Sequence, residues 1–335
     1  MGISATASGG GLVDLSALTQ NFYERTMLDN LKQKLVMANF TKKFSIPKGF
    51  GPVIQFRRYT PFVGGTTALS EGVAPTEVDL SVESLNATIL QYGNFVKSSD
   101  FILSTAINGY NQFVEQAITE LSYMAGDSID LLTRNAFGID SDGSGQGSTN
   151  FTNANDATWA AMTTSDVLTA ADLRKVVRKL KNRKVPNYDG QSFVGVIGPD
   201  QAYDLQSEAG NGSWLDITKY TTSEKAERGE LGKMYSVRLV ESTNLSTSAQ
   251  SGKNISECYV FGKDAVGMVD LTELDRTSGG DRVEMRHVNI YIKEPGSAGT
   301  ADPLNQLGTV GYKFGLVMRR LQDARVEVLR AGSTN

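Results

Sequence analysis

The sequence has only one cysteine, Cys258, and one histidine, His287, among its 335 residues. A single cysteine excludes a disulfide within the chain, and the scarcity of both residue types excludes zinc sites built from cysteine and histidine. A serine–histidine–aspartate triad would depend on His287 alone, and we interpret that residue as structural rather than catalytic. These absences argue against several large classes of enzyme and favour a structural protein.

The chain also lacks a long apolar run and an excess of positive charge. No stretch reaches the ~18 apolar residues needed to span a bilayer, so we expect no membrane partner. The formal net charge is −4, whereas dedicated DNA-binding domains are usually basic. We therefore expect only loose, non-specific contact with nucleic acid.

No motif in the sequence predicts a cofactor, a metal ion or a catalytic site. The stretch from Asp140 to Gly145 resembles the start of a calcium loop, but Phe151 stands where the pattern needs its bidentate glutamate. With 37 acidic residues in the chain, a carboxylate pair of the kind used by hydrolases is always conceivable. A carboxylate-dependent hydrolase therefore stays open as the less favoured alternative.

Residues 44–98 read as extended chain with an acidic outer half. No lysine or arginine occurs between Tyr59 and Val96, whereas Glu71, Glu77, Asp79 and Glu83 do. An isolated two-stranded arm has little core of its own and needs a partner for stability. We expect this arm to contact another molecule.

Two helices stand out by their apolar periodicity. Residues 109–137 carry one long apolar stripe, and residues 169–184 form a second helix with a capping box of Thr169 and Asp172. Residues 174–184 hold seven basic side chains and no acidic one. Such a face is open to three interpretations: a solvated surface, a phosphate contact, or a contact with an acidic surface of a neighbouring subunit.

The rest of the chain alternates between strands and short helices. A flexible tip at 1–11 precedes an expected helix at 14–38, and residues 193–274 read as α/β, with a serine-rich loop at 242–254. Strands are expected at 282–294, 308–317 and 324–329.

This order of elements resembles the major capsid proteins of tailed double-stranded DNA phages, the Hong Kong 97 fold. Three phrases resemble the branch typified by the podophage N-four: residues 228–235, 260–267 and 302–313. The resemblance implies an α+β fold. Its parts would be an N-terminal arm at 1–55, an extended β-hairpin loop at 56–98, a peripheral domain at 99–189 and 275–335 with a spine helix at 109–137, and an α/β axial domain at 190–274.

The resemblance also implies a function. The chain would assemble into hexamers and pentamers of an icosahedral shell that encloses DNA, in the virion, after assembly in the host cytoplasm. A separate scaffolding protein and a portal would be partners, and a decoration protein stays open. Since residues 59–96 contain no lysine, we expect no covalent cross-link from this loop. An encapsulin-like compartment shares the fold and is the main alternative.

The candidate subunit contacts combine the acidic arm, its apolar neighbours and the basic helix. The candidate interface residues are Phe62, Val63, Leu69, Glu71, Glu77, Asp79, Glu83, Arg174, Lys175, Arg178 and Lys181.

Overall fold

The computed structural model describes residues 27, 30, 35–47, 51–59, 62, 64–66, 68–69, 71–72, 77–101, 109–139, 149–151, 162, 166–208, 232–250, 253–272, 288–293, 303–304 and 306–332. Its helices are α1 (Gly109–Gly138), α2 (Ala170–Asn182) and α3 (Pro199–Ser207). Its strands are β1 (Lys42–Pro47), β2 (Val53–Tyr59), β3 (Val82–Thr88), β4 (Leu90–Ser99), β5 (Thr149–Phe151), β6 (Phe193–Ile197), β7 (Lys233–Met234), β8 (Val237–Glu241), β9 (Thr247–Gln250), β10 (Lys253–Phe261), β11 (Val266–Thr272), β12 (Asn289–Lys293), β13 (Leu307–Arg320) and β14 (Val326–Gly332).

The first sheet is built around the long strand β13. Its order is β1-β11-β13-β12, and β4 pairs with β13 as well. Alternate residues of β13, such as Tyr312, Phe314 and Leu316, are buried against the apolar stripe of α1, which includes Ile118 and Leu121. The apolar residues at every second position of β13 and those on one face of α1 therefore form one core.

The second sheet has the order β5-β14-β10-β6-β8-β7, and β9 pairs with β10. One face packs against α2 and α3. The other face packs against Phe137, near the end of α1, and against Met37. Burial on both faces explains why Phe193–Ile197 is apolar without alternation.

A two-stranded hairpin, β2 with β3, stands on the first sheet. The strands are antiparallel, with Val53 opposite Thr88 and Tyr59 opposite Val82. At the base of the hairpin, Phe56 and Leu85 pack with Ile46 and Val269 of the first sheet. The hairpin is thus held at one end only.

Most of the predicted elements are confirmed. The helices expected at 109–137 and 169–184 are α1 and α2, and Thr169 caps α2 by accepting a hydrogen bond from the Asp172 N–H. Of the helix expected at 14–38, Met27 and Asn30 are described as helical, Met37–Phe40 form a 3-10 turn, and most of the remainder lies outside the described residues. The serine-rich stretch 242–254 was predicted as a loop and is wrong in part, because it contains β9 and the start of β10, which pair with each other.

The predicted domain ranges do not follow the membership of the two sheets. Strand β14 and helix α2 fall in the range predicted for the peripheral domain, yet β14 pairs in the second sheet and α2 packs against that sheet. Strand β11 falls in the axial range, yet it pairs in the first sheet. At the short turn between β10 and β11, the chain passes from the second sheet to the first. Local sequence periodicity carries no information about which partner a strand will choose.

Candidate subunit interface

In the outer part of the hairpin, between Tyr59 and Val82, the described residues do not pack into the protein's own core. Every described residue in this segment is exposed. Large apolar side chains are among them: Phe62 is 60% exposed, Leu69 76%, Val78 71% and Leu80 57%. Val63, the remaining apolar candidate, lies outside the described residues. Apolar side chains gathered on one projecting element are typical of an interaction surface.

The hairpin acids fall into two groups. Glu71, Glu77 and Asp79 are exposed, and none of them forms an ion pair with another described residue. Glu83 differs, because the Arg58 guanidinium pairs with it across the two strands and also reaches Asp323 Oδ2 at 3.4 Å. The hydrogen bond to Glu83 raises the pKa of Arg58. Glu83 therefore stabilises the hairpin within its own chain, whereas the other three acids face solvent.

The four basic candidates lie together on the outer face of α2. Leu173, Val176, Val177 and Leu180 of that helix are buried, so Arg174, Lys175, Arg178 and Lys181 point outward and are exposed.

Two of these cations already have partners in their own chain. Arg174 lies over the Tyr235 ring, with 5.1 Å between the guanidinium carbon and the ring centroid. Lys175 Nζ is 2.8 Å from Asp172 Oδ1. Within the described part of the chain, no ion pair joins α2 to Glu71, Glu77 or Asp79.

The described residues offer little to catalysis. Cys258 is fully buried, and burial raises the pKa of its thiol to about 12, so it stays protonated and unreactive. Among the described residues there is no group of three or more His, Cys, Asp or Glu side chains placed to hold a metal ion. His287 lies outside them. The hydrolase alternative gains no support from this part of the chain.

A cleft of about 720 Å³ opens beside the base of the hairpin. Lys42, Arg57, Arg58 and Arg325 line it, together with apolar side chains such as Phe44. Much of this charge is used within the chain: Lys42 Nζ lies 3.4 Å from Asp264 Oδ2, and Arg58 holds Glu83 and Asp323. Of these pairs, Arg58 with Asp323 joins the hairpin to the turn that follows β13.

No described helix is both long and apolar enough to cross a membrane.

Comparison with solved structures finds the same fold in phage capsid proteins and in an encapsulin. The chain matches the capsid protein of Ralstonia phage GP4 over 88% of both chains, at 13% identity and a TM-score of 0.62. It matches the capsid protein of cyanophage Pam1 over 85% of this chain and 86% of the other, at 15% identity and a TM-score of 0.62. The SrpI encapsulin of Synechococcus elongatus matches over 88% and 85%, at 11% identity and a TM-score of 0.53.

No family model matches the sequence, and no curated protein matches it. At such identities the structural matches establish the fold. The predicted α+β capsid fold of the Hong Kong 97 type is therefore confirmed. Phage capsid proteins and an encapsulin both share this fold, so the fold by itself does not identify one function.

Proposed function

We propose that this chain is the major capsid protein of a tailed phage. It assembles into hexamers and pentamers of an icosahedral shell around double-stranded DNA. The main support is the exposure of the outer hairpin, where every described residue is exposed. The exposed residues include four large apolar side chains: Phe62, Leu69, Val78 and Leu80. The likeness to phage capsid proteins over 85–90% of the chain supports it.

The hairpin suits a shell subunit because it adds contact surface without adding core. Fully burying one large apolar side chain contributes about 1.5–3 kcal/mol, whereas an exposed ion pair contributes ~0.2–1 kcal/mol. Phe62, Val63 and Leu69 would therefore supply most of the contact energy, and Glu71, Glu77 and Asp79 would set its register. Glu83 would act at the base, where it pairs with Arg58. Such contacts are individually weak, but they reinforce one another when every subunit repeats them.

The basic face of α2 is proposed as a second contact between copies. Arg178 and Lys181 are exposed, and Arg174 and Lys175 lie beside them. An acidic surface of a neighbouring subunit is the partner that their charge favours.

The setting of the shell follows from the same proposal. The protein resides in the virion and assembles in the host cytoplasm with a separate scaffolding protein and a portal. Packaged DNA touches the shell loosely, consistent with a net charge of −4. Residues 1–55 and 56–98 reach across neighbours, and the axial strands meet around the capsomer axis.

Removal of the outer hairpin tests the proposal. Tyr59 and Val82 face each other across the two strands, so residues 60–81 can be replaced by an Asn-Gly turn, which closes such hairpins well. We expect a folded subunit with unchanged thermal unfolding that forms no closed particles in electron micrographs. A matched control replaces Gly64 and Gly65 by serine, where no atom lies within 4 Å, and keeps its particles. Intact shells from the deleted chain would contradict the proposal.

An encapsulin-like compartment is the second candidate, supported by the likeness to the SrpI encapsulin. The contents of native particles separate the two functions. Nucleic acid of uniform length indicates a phage capsid, whereas an enclosed protein indicates a compartment.

A further inference from the structure

One side of α1 packs on the first sheet, and another side of the same helix reaches the surface. Ile118 and Leu121 are buried against β13, whereas residues at intervals of three or four follow the surface side. We call these residues the outer stripe: Glu120, Met124, Asp127, Leu131 and Asn135. At ~1.5 Å per residue the stripe is about 22 Å long, which is the length of about four turns of a second helix.

The apolar part of the outer stripe continues onto neighbouring elements. Met124 is 43% exposed, and Leu131 and Ile139 are exposed as well. Asn94 Nδ2 of β4 lies 3.3 Å from Met124 Sδ, so β4 borders the stripe. Leu90, at the start of β4, is 56% exposed. Large apolar side chains exposed side by side on two elements are typical of an interaction surface.

A depression of about 230 Å³ lies beside the stripe, between the second half of α1 and the first sheet. Apolar side chains make up much of its lining, among them Leu90, Leu132, Ile139 and Leu316. Tyr92 also lines it and stacks on Phe314 of the core, with 5.6 Å between the ring centroids. Such a depression can receive an apolar side chain of a visiting molecule.

The first half of the outer stripe is negatively charged. No lysine or arginine occurs between Gly109 and Thr133. The contacts of Glu120 and Asp127 are with amides: Gln116 Nε2 lies 3.1 Å from Glu120 Oε1, and Asn244 Nδ2 lies 3.5 Å from Asp127 Oδ1. Neither carboxylate forms an ion pair with another described residue. Both charges are therefore left for a partner to neutralise.

Cations gather at the other end of the stripe. Arg134 Nη2 lies 3.0 Å from Asn135 Oδ1. Arg319 and Arg320 line the depression, and Arg320 donates a hydrogen bond to the Phe137 carbonyl oxygen. The surface thus changes from negative to positive along its length.

This combination of shape and charge selects one kind of occupant. Two copies of the stripe placed face to face would bring Glu120 and Asp127 of each copy against like charges, which disfavours association. A helix with apolar residues at every third or fourth position matches the spacing of the stripe. Lysine or arginine beside those apolar residues would match Glu120 and Asp127.

We propose that the outer stripe of α1, with the adjoining part of β4, is the docking site for a basic amphipathic helix of a different protein. The apolar side chains of that helix pack on Met124, Leu131 and Leu90, and one of them enters the depression. Its cations pair with Glu120 and Asp127. The inference concerns the single subunit and does not depend on what a shell of such subunits encloses.

Two synthetic peptides test the inference by fluorescence anisotropy on the full-length protein, at a concentration where it is unassembled. Each is a helix of about 18 residues, or five turns, with leucine at every third or fourth position. The basic probe carries lysine beside the leucines, and the acidic probe carries glutamate there. We expect saturable binding of the basic probe and no binding of the acidic probe.

Two double variants locate the binding. Glu120→Lys with Asp127→Lys should weaken binding of the basic probe by roughly tenfold or more and should allow the acidic probe to bind. Met124→Gln with Leu131→Gln should weaken both probes, because it removes the apolar contact. Thermal unfolding shows whether each variant folds. If the charge variant does not fold, Glu120→Lys alone takes its place, since Glu120 is exposed.

The matched control is Glu115→Lys with Glu241→Lys, which reverses two exposed acids outside the stripe and should leave binding unchanged. Equal weakening by this control would show attraction by net charge alone and would overturn the inference. So would a basic probe that does not bind the unchanged chain, or one that binds the two stripe variants as well as the unchanged chain. Failure of the unchanged chain to form shells would count against the proposed function and not against this site.

Discussion

Asp130 of α1 holds the backbone of a distant segment through one carboxylate oxygen. Its Oδ1 accepts hydrogen bonds from the N–H groups of Val36, Met37 and Ala38, at 3.2, 2.7 and 3.3 Å. Its Oδ2 lies 3.4 Å from Asn244 Nδ2. One side chain, fully buried, thus joins the segment before β1, the long helix and the loop after β8.

Replacement of Asp130 should therefore destabilise the subunit strongly. Asp130→Ala leaves buried backbone N–H groups without an acceptor and should lower the free energy of unfolding by about 2–4 kcal/mol. Asp130→Asn keeps an acceptor oxygen and should cost less. Urea unfolding of both variants measures the difference, and equal losses would contradict the assigned role.

The pH dependence of that stability has a definite sign. Burial raises the pKa of Asp130, against the opposing effect of its hydrogen bonds. The folded state therefore binds the proton more tightly than the unfolded chain. The stabilisation that comes from this tighter proton binding is complete below the unfolded pKa of about 3.9. It is lost as the pH rises through the raised pKa of the folded state. The stability of the unchanged chain relative to Asp130→Asn should fall as the pH rises above about 4, the unfolded pKa of an aspartate. A rise in relative stability with pH would contradict the assignment.

Gly262 lies where the chain leaves the second sheet for the first, and the space beside it is filled. A Cβ atom there would lie 2.5 Å from the Pro186 carbonyl oxygen and 2.6 Å from Val185 Cγ1. Gly262→Ala should cost about 1–3 kcal/mol by overpacking. Gly64→Ala is the matched control, because nothing lies within 4 Å of its Cβ position. Thermal unfolding should separate the two, and equal melting temperatures would refute the packing argument.

At the scale of single elements, the sequence predicts what depends on neighbours along the chain. The cap of α2 is an example, because Thr169 and Asp172 lie within one turn of each other. Thr169→Ala should lower the stability of the subunit by about 1 kcal/mol. Thr66→Ala, at an exposed loop position, is the control, and the urea midpoints of both variants measure the effect. No loss for Thr169→Ala would show that the cap contributes nothing.

Strand partners could not be predicted in the same way. Phe95, Gly311 and Tyr291 form one row of the first sheet, yet they come from three segments far apart in sequence. The period of two indicates that each segment is a strand, but pairing and register depend on packing across the whole sheet. The same limit explains why the predicted domain ranges separate β14 and α2 from the strands of the second sheet. The acidic hairpin could be recognised because its signal, a long absence of cations, lies within one continuous segment.

At the scale of the whole molecule, three buried core clusters and one projecting hairpin have different roles. The buried sheets stabilise the subunit, while the hairpin is attached through a small cluster at its base. Changes in the outer hairpin should therefore affect assembly far more than folding. The fold was predictable from the order of the elements, whereas the partner of each strand became visible only in the structure.

If this chain builds a closed shell, its subunits must associate with one another in solution. Electron microscopy of the purified full-length protein at high concentration, with sedimentation to measure particle mass, tests this association. We expect rings of subunits and closed particles of uniform diameter with icosahedral symmetry. A folded protein that stays monomeric, or that forms only small open oligomers, would contradict it.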